Sequence, residues 1–244
     1  MNSRAGLCWW LRARFCMFAG AIGAGMILLT TLGAAQTPAK APGSSEKLGP
    51  IPIELPKPMF EGTPQNLNVP NLEKPLGKPR DPFLAPAGVR NVARGKKVTS
   101  SDSQPVIGEL EMVTDGDKDA ADGSFVELGP GRQYVTIDLA AVHEIYAILF
   151  WHFHKTPRAY LDVVVQAADN QDFSKNVRTV FNNDFDNTLG LGAGKNMNYV
   201  ETSEGKLVDA KGIRARYVRL YSRGNNANDL NHYIEVEVYG RPAK

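Results

Sequence analysis

From Asn91 onward the chain breaks into short runs in which apolar and polar residues take turns. Tyr134 to Leu139 reads YVTIDL, Ile145 to His154 reads IYAILFWHFH, and Tyr160 to Ala167 reads YLDVVVQA. Tyr217 to Tyr221 reads YVRLY, and Tyr233 to Tyr239 reads YIEVEVY. Neighbouring side chains of a strand point to opposite faces, so a period of two places one face in a core and the other outside it. The runs are rich in β-branched and aromatic residues and are bounded by Gly, Asp and Asn, as strands are. No window of comparable strength repeats every 3.6 residues. Residues 88–244 are therefore expected to form an all-β, antiparallel sandwich.

What precedes this domain is of another kind. Twelve of the chain's 16 prolines fall within residues 36–87, a spacing that neither a helix nor a sheet interior tolerates. This segment reads as an extended, mostly non-regular linker or tether, with Pro82-Phe83-Leu84 as an apolar stretch able to dock. Residues 1–35 have the layout of a secretory signal peptide: a basic start, an apolar run from Met17 to Leu32, and small residues at Gly33-Ala34-Ala35. Cleavage is expected after Ala35, the alternative being an uncleaved signal anchor. The product would be exported, to a periplasmic, extracellular or cell-surface location, with no stable membrane insertion.

Both cysteines, Cys8 and Cys16, precede the apolar run, so the exported part has no disulfide, thiol nucleophile or thiolate metal site. Removing Arg4, Arg12 and Arg14 leaves 25 basic residues against 26 acidic ones. That balance gives no electrostatic case for nucleic acid or an anionic membrane as partner.

Five motifs, in order, resemble those of discoidin domains, also called the factor V/VIII type C family. They are Asn91-Val92-Ala93-Arg94-Gly95-Lys96-Lys97-Val98-Thr99, Val113-Thr114-Asp115-Gly116-Asp117, Val135-Thr136-Ile137-Asp138-Leu139, Arg216-Tyr217-Val218-Arg219-Leu220, and Ile234-Glu235-Val236-Glu237-Val238-Tyr239-Gly240. The resemblance spans roughly residues 91–241. It implies a galactose-binding-like jelly-roll β-sandwich and a non-catalytic module, often for carbohydrate on secreted bacterial proteins. Two departures limit the transfer. The disulfide that joins the ends of the animal clotting-type domains cannot form here, and their membrane-inserting apolar loop tips have no clear counterpart.

Asp115 and Asp117 flank Gly116, and calcium takes about six to eight oxygens, which alternating carboxylates on a tight turn help to supply. The resemblance implies that a glutamate of the last strand, Glu235, closes such a site, so Asp115, Asp117 and Glu235 are candidate ligands of a structural Ca2+. The plain alternative is a turn, since Asp-Gly is a common turn pair.

The segment LFWHFHK, residues 149–155, carries two of the chain's four histidines. Alternation assigns Leu149, Trp151 and Phe153 to the core and Phe150, His152 and His154 to the opposite face. His152, His154, Arg158 and Tyr160 are the residue types a sugar site uses, and the resemblance places such contacts in this connection. His232 joins them as a candidate, although no rule of sequence brings it close. Asn182 and Asp184 complete the candidate ligand residues. Their Asn/Asp-rich loop, 181–187, lacks the glutamate an EF-hand needs twelve positions after Asp184, and it reads equally as a surface loop whose side chains bond its own backbone. For the histidines, three roles stay open: structural hydrogen bonding, a polar ligand site, or a transition-metal site.

The expected function is a secreted binding module for a glycan or cell-wall polysaccharide. A surface protein-interaction module is the alternative, and a metal-dependent hydrolase on the histidine face is the form of enzyme left open, since the chain has no nucleophile elbow and no HExxH.

Overall fold

A computed structural model describes residues 46–60 and 67–243; the expected signal peptide and residues 36–45 lie outside the described residues. Eleven strands follow one another: β1 (Leu48–Pro50), β2 (Leu84–Pro86), β3 (Arg90–Asn91), β4 (Lys97–Ser100), β5 (Val126–Leu128), β6 (Gln133–Trp151), β7 (Val164–Ala168), β8 (Arg178–Asn182), β9 (Lys206–Ser222), β10 (Asn231–Tyr233) and β11 (Glu235–Pro242). A short 3-10 helix, Leu110–Thr114, leads into the TDGD turn. All strand pairings are antiparallel, and the described residues contain no α-helix.

Two long strands organise the sandwich. The first half of β6 pairs with β4 and with the second half of β9, which passes the sheet on to β7 and β8. The second half of β6 pairs with β11 and with the first half of β9, and β11 carries β3 at the edge. Val135, Ile137, Val165, Val218 and Leu220 from one half meet Ile148, Phe150, Val236 and Val238 from the other in a single core. Strands β5 and β10 form a separate pair. The all-β antiparallel sandwich expected from period-two patterning is thus the fold observed.

Each long strand bends where its register breaks. In β6 the break lies between Asp138 and His143, and in β9 it lies between Asp209 and Ile213. The two bends share a device. The Asp138 carboxylate accepts the N–H of Ala140 and the Asp209 carboxylate that of Lys211, at 2.8 and 2.9 Å. Ala140 and Lys211 then take left-handed backbone angles, φ 68° and 54°, which side-chain capping of this type makes accessible. Arg216 closes the first bend with two bonds to Asp138, both 2.8 Å.

The Pro-rich segment differs from the expectation of a spacer. Its described residues belong to the same compact unit as the sandwich. Strand β1 pairs with β2, Ile51 donates to the Phe83 carbonyl, and Tyr239 and Lys118 donate to the carbonyls of Pro52 and Glu54. Further along, Glu73 donates to the Asn198 carbonyl and pairs with Lys206, and Arg80 donates to the carbonyls of Glu204 and Gly205. Prolines exclude a ladder interior but leave carbonyls free, and here those carbonyls are satisfied by side chains of the domain. Phe83 packs on the core, whereas Leu84 beside it is exposed.

Ile51 is 8% exposed and sits in the main core. Ile51→Ala is therefore expected to destabilise the protein by about 2–3 kcal/mol in urea unfolding; a free spacer would give no change.

Candidate functional site

The end of β6 is covered on both faces. Strand β6 stops at Trp151, and residues 149–154 are all buried. Leu149, Trp151 and Phe153 enter the core as alternation requires. Phe150, His152 and His154 do not form an exposed polar face, which corrects the reading that set them opposite the core. A second layer, the connection 199–205 together with Tyr160 and Tyr233, lies over them. Phe150 meets the Tyr199 ring edge-on, and His152 stacks on Tyr160 with centroids 4.2 Å apart.

The two imidazoles serve different neighbours. His152 donates from Nδ1 to Glu201 at 2.6 Å, in full burial. Its Nε2, the second Glu201 oxygen and the Tyr199 hydroxyl are buried without a hydrogen-bond partner. His154 donates from Nε2 to the carbonyl of Lys118 at 3.0 Å, tying the strand end to the turn that holds Asp115 and Asp117.

His232 joins the first of these groups. It donates from Nε2 to Glu127 at 2.9 Å and accepts at Nδ1 from the Tyr160 hydroxyl at 2.8 Å. Because Tyr160 also stacks on His152, the three residues form one buried chain running from Glu201 to Glu127. Burial, then the charges of Arg158 and His152, lower the His232 pKa to about 4. A neutral ring that donates at Nε2 must accept at Nδ1, which is the arrangement seen. Burial raises the Glu127 carboxyl, opposed by Arg158, and raises the Tyr160 and Tyr199 hydroxyls.

Arg158 lies at the open edge of this chain. Its guanidinium sits over the Phe153 ring, 4.7 Å from the centroid, and its charge acts on Glu127, Tyr160 and His232. Nε and Nη1 are shielded from solvent yet have no hydrogen-bond partner, although the residue is part-exposed. Phe125 and Phe153, in edge contact at 5.1 Å, make the floor, with His232 against both. The exposed Val106 and Ile107 flank it through their backbone pairing with Glu127. Glu127, Glu201 and Phe125 had no motif to mark them; the available signal was an acid set inside an apolar run, SFVEL and NYVET.

Asn182 and Asp184 stay in their own loop. Asn182 bonds Gly192 and Asp184, while Asp184 accepts the N–H groups of Thr188 and Leu189. None of these contacts reaches the histidines. The loop does bring oxygens of Asp162, Asp184 and Asp186 within 4.8 Å of one another, though Asp162 already pairs with Arg223 and the other two accept N–H groups of their own loop.

The TDGD turn has a different character. Asp115 accepts the N–H of Asp117, and Asp117 accepts that of Asp119. Glu235, paired with Trp151 in the β11–β6 register, reaches the turn and accepts the Gly116 N–H with Oε2 at 3.1 Å. Its Oε1 is buried with no partner. Burial lifts the Glu235 carboxyl to about 9, with the Gly116 N–H opposing and the charges of Glu237 and Asp115 adding to the rise. Gly116 holds φ 88°, a left-handed angle that strains any residue with a Cβ, so glycine is favoured at the turn. The structure brings Glu235 to the turn of Asp115 and Asp117, but among the described residues the carboxylate oxygens that gather within 4.8 Å in a set of three are those of Asp162, Asp184 and Asp186, not these.

No family model and no curated protein matches the chain. Among solved structures, the chain is similar to a family 89 glycoside hydrolase from Clostridium perfringens, at 19% identity and TM-score 0.46, covering 63% of this chain. This chain spans 15% of that hydrolase's length. A fucose-binding module from Streptococcus pneumoniae is 19% identical with TM-score 0.46, covering 63% of this chain and 96% of the module. A chitosan-binding module of a chitosanase/glucanase from Paenibacillus sp. IK-5 is 18% identical with TM-score 0.40, covering 62% and 98%.

The buried histidine makes a pH prediction. With a native pKa near 4 against an ordinary 6.5, His232 takes up its proton in the unfolded chain first, so its contribution to stability is present above pH 6.5 and is lost as pH falls toward 4. The urea midpoint of the wild type should therefore fall more steeply between pH 6.5 and 4.5 than that of His232→Gln. Parallel profiles would contradict the assignment.

Proposed function

We propose that the chain is an exported, non-catalytic glycan-binding module. Its ligand site is the part-exposed Arg158 guanidinium, backed from within by Glu127, Tyr160 and His232 and by the Phe125–Phe153 pair, and its TDGD turn holds a structural calcium ion. One observation carries the reading of the site: the part-exposed Arg158 guanidinium lies on an aromatic floor and, among the described residues, is in no salt bridge with a carboxylate. Unmade hydrogen bonds of a charged donor cost free energy unless a ligand or water takes them. Sugar hydroxyls suit that requirement, because they accept from a guanidinium and donate to a carboxylate while their C–H faces rest on rings. The five motifs that resemble the discoidin family point the same way.

His152 and His154 act in this reading as supports. Fully buried, they hold Tyr160 and the TDGD turn in place, and neither presents an atom to a solvent-borne ligand. For calcium, the supporting observation is the bare Glu235 oxygen on a side chain that already bonds the Gly116 N–H between Asp115 and Asp117. The partner is a glycan or cell-wall polysaccharide at the surface to which the exported chain is delivered.

Screening the full exported chain on a glycan array tests the site. Arg158→Ala should lose tenfold or more in affinity, the effect of about 1.5–3 kcal/mol that charged hydrogen bonds contribute, with its melting temperature unchanged. A silent array together with retention of a defined surface protein would favour the interaction-module alternative. Calcium should raise the melting temperature of chelator-treated protein, by about 2–3 kcal/mol of added stability at a hundredfold excess over Kd. Glu235→Gln should abolish the response; a wild type indifferent to calcium would refute the ion.

A further inference from the structure

The outer face of the β4–β6–β9–β7 half carries a second feature that the Arg158 site leaves unused. Alternation along β6 sends Val135 and Ile137 into the core and Tyr134 and Thr136 outward; along β9 it sends Val218 and Leu220 inward and Arg219 and Tyr221 outward. On this face the Arg219 guanidinium lies between two rings, 4.2 Å from the Tyr134 centroid and 4.0 Å from that of Phe173. Tyr134 meets Tyr221 edge-on at 5.3 Å, and Arg132 covers the far side of Tyr221 at 5.2 Å. The result is a ladder of alternating cations and rings.

The ladder is rigid. Arg219 donates to the Thr136 hydroxyl, the Tyr221 hydroxyl and the Gln171 carbonyl, which leaves two of its five N–H groups for a ligand. Phe173 holds a left-handed backbone, φ 54°, an outlier for a bulky residue. Its turn is fixed by Asn170, which accepts the N–H groups of Ser174 and Lys175. A cleft of about 590 Å³ opens here, lined by Thr99, Ser100, Tyr134, Gln171, Asp172 and Arg219.

Charge selects the ligand. Neighbouring arginines are neutralised, Arg216 by Asp138 and Arg178 by Asp169. Among the described residues no carboxylate pairs with Arg132 or Arg219; each bonds only neutral oxygens. Two uncompensated guanidinium groups beside a part-exposed tyrosine suit an anion that also offers a sugar face. Asp172, on the rim, repels a densely charged polyphosphate but accepts from a hydroxyl, which favours a polymer carrying one charge per ring.

We propose that this face is a second saccharide-binding site, separate from Arg158, and that it takes the uronate-bearing chain of an acidic polysaccharide. Tyr134 and Arg219 line the cleft and meet one sugar ring and its carboxylate, and Arg132, over Tyr221 beside it, meets the next. The site does not depend on the Arg158 reading, and either can fail alone.

The test is amide chemical-shift mapping on the full exported chain at constant free calcium, with hexamers of galacturonate, mannuronate and glucuronate and with methyl-esterified hexagalacturonate. At least one acid hexamer should shift the amides of Tyr134, Gln171 and Arg219. Esterification should weaken binding tenfold or more if hexagalacturonate binds. Tyr134→Ala, with unfolding monitored, should weaken the bound hexamer as much. Absence of shifts on this face with all three acid hexamers, equal binding of the ester, or stronger shifts by single-stranded DNA at physiological salt would each overturn the proposal. Because the mapping uses wild-type protein, it decides even if the variant folds poorly.

Discussion

The pairing of β6 with β9 through two bends is the constraint on which the rest depends. A straight pair would build one sheet and leave its apolar face open. Bending each strand at an aspartate that captures the N–H two residues on lets the same pair belong to both halves of the sandwich, so the two halves cannot slide apart. The Asp138–Arg216 bidentate contact adds direction to the first bend, where a carboxylate held by a guanidinium stays ionised and oriented. Both proposed sites are placed by this spine: Arg219 and Tyr134 on one half, and the buried histidine chain beside Arg158 at the end of the other.

That end shows how polar groups are kept inside a small β-sandwich. Glu201, His152, Tyr160, His232 and Glu127 would each be costly alone in a low-dielectric interior. Linked by hydrogen bonds and one ring stack, they become tolerable, and the atoms left unpaired cluster at Arg158, Tyr199 and Glu201. His154, just past the end of β6, and Glu235 of β11 perform the same service for the TDGD turn. The segment LFWHFHK is thus a junction between two polar structures, and its histidines point to one each.

Much of the fold was legible because the hydrophobic effect writes a period of two into half-buried strands. YVTIDL and YVRLY send Val135, Ile137, Val218 and Leu220 inward as their alternation says, whereas VVVQA is buried on both faces. The first half of β9 escaped notice because KLVDAKGI places Asp, Lys and Gly at the bend, where local backbone bonding outweighs propensity. The Phe150 face was misread because period two states that two faces differ, not that one is wet; a covering layer brought from residues 199–205 has no local signature. The partnership of His232 with Tyr160 spans 72 positions and is created by topology alone. The docking of the proline segment was equally hidden, since its bonds use backbone carbonyls that every residue owns.

The strap has a consequence for the order of events in biosynthesis. Glu46 and Pro52, near the start of the described chain, are held by Arg241 and Tyr239, near its end, across as many as 195 positions. A chain made or threaded from its N-terminus presents the strap first and its anchors last. Until β11 has emerged, Ile51 and Phe83 have no complete core to pack on. Completion of this fold is thereby deferred until β11 is available to close it.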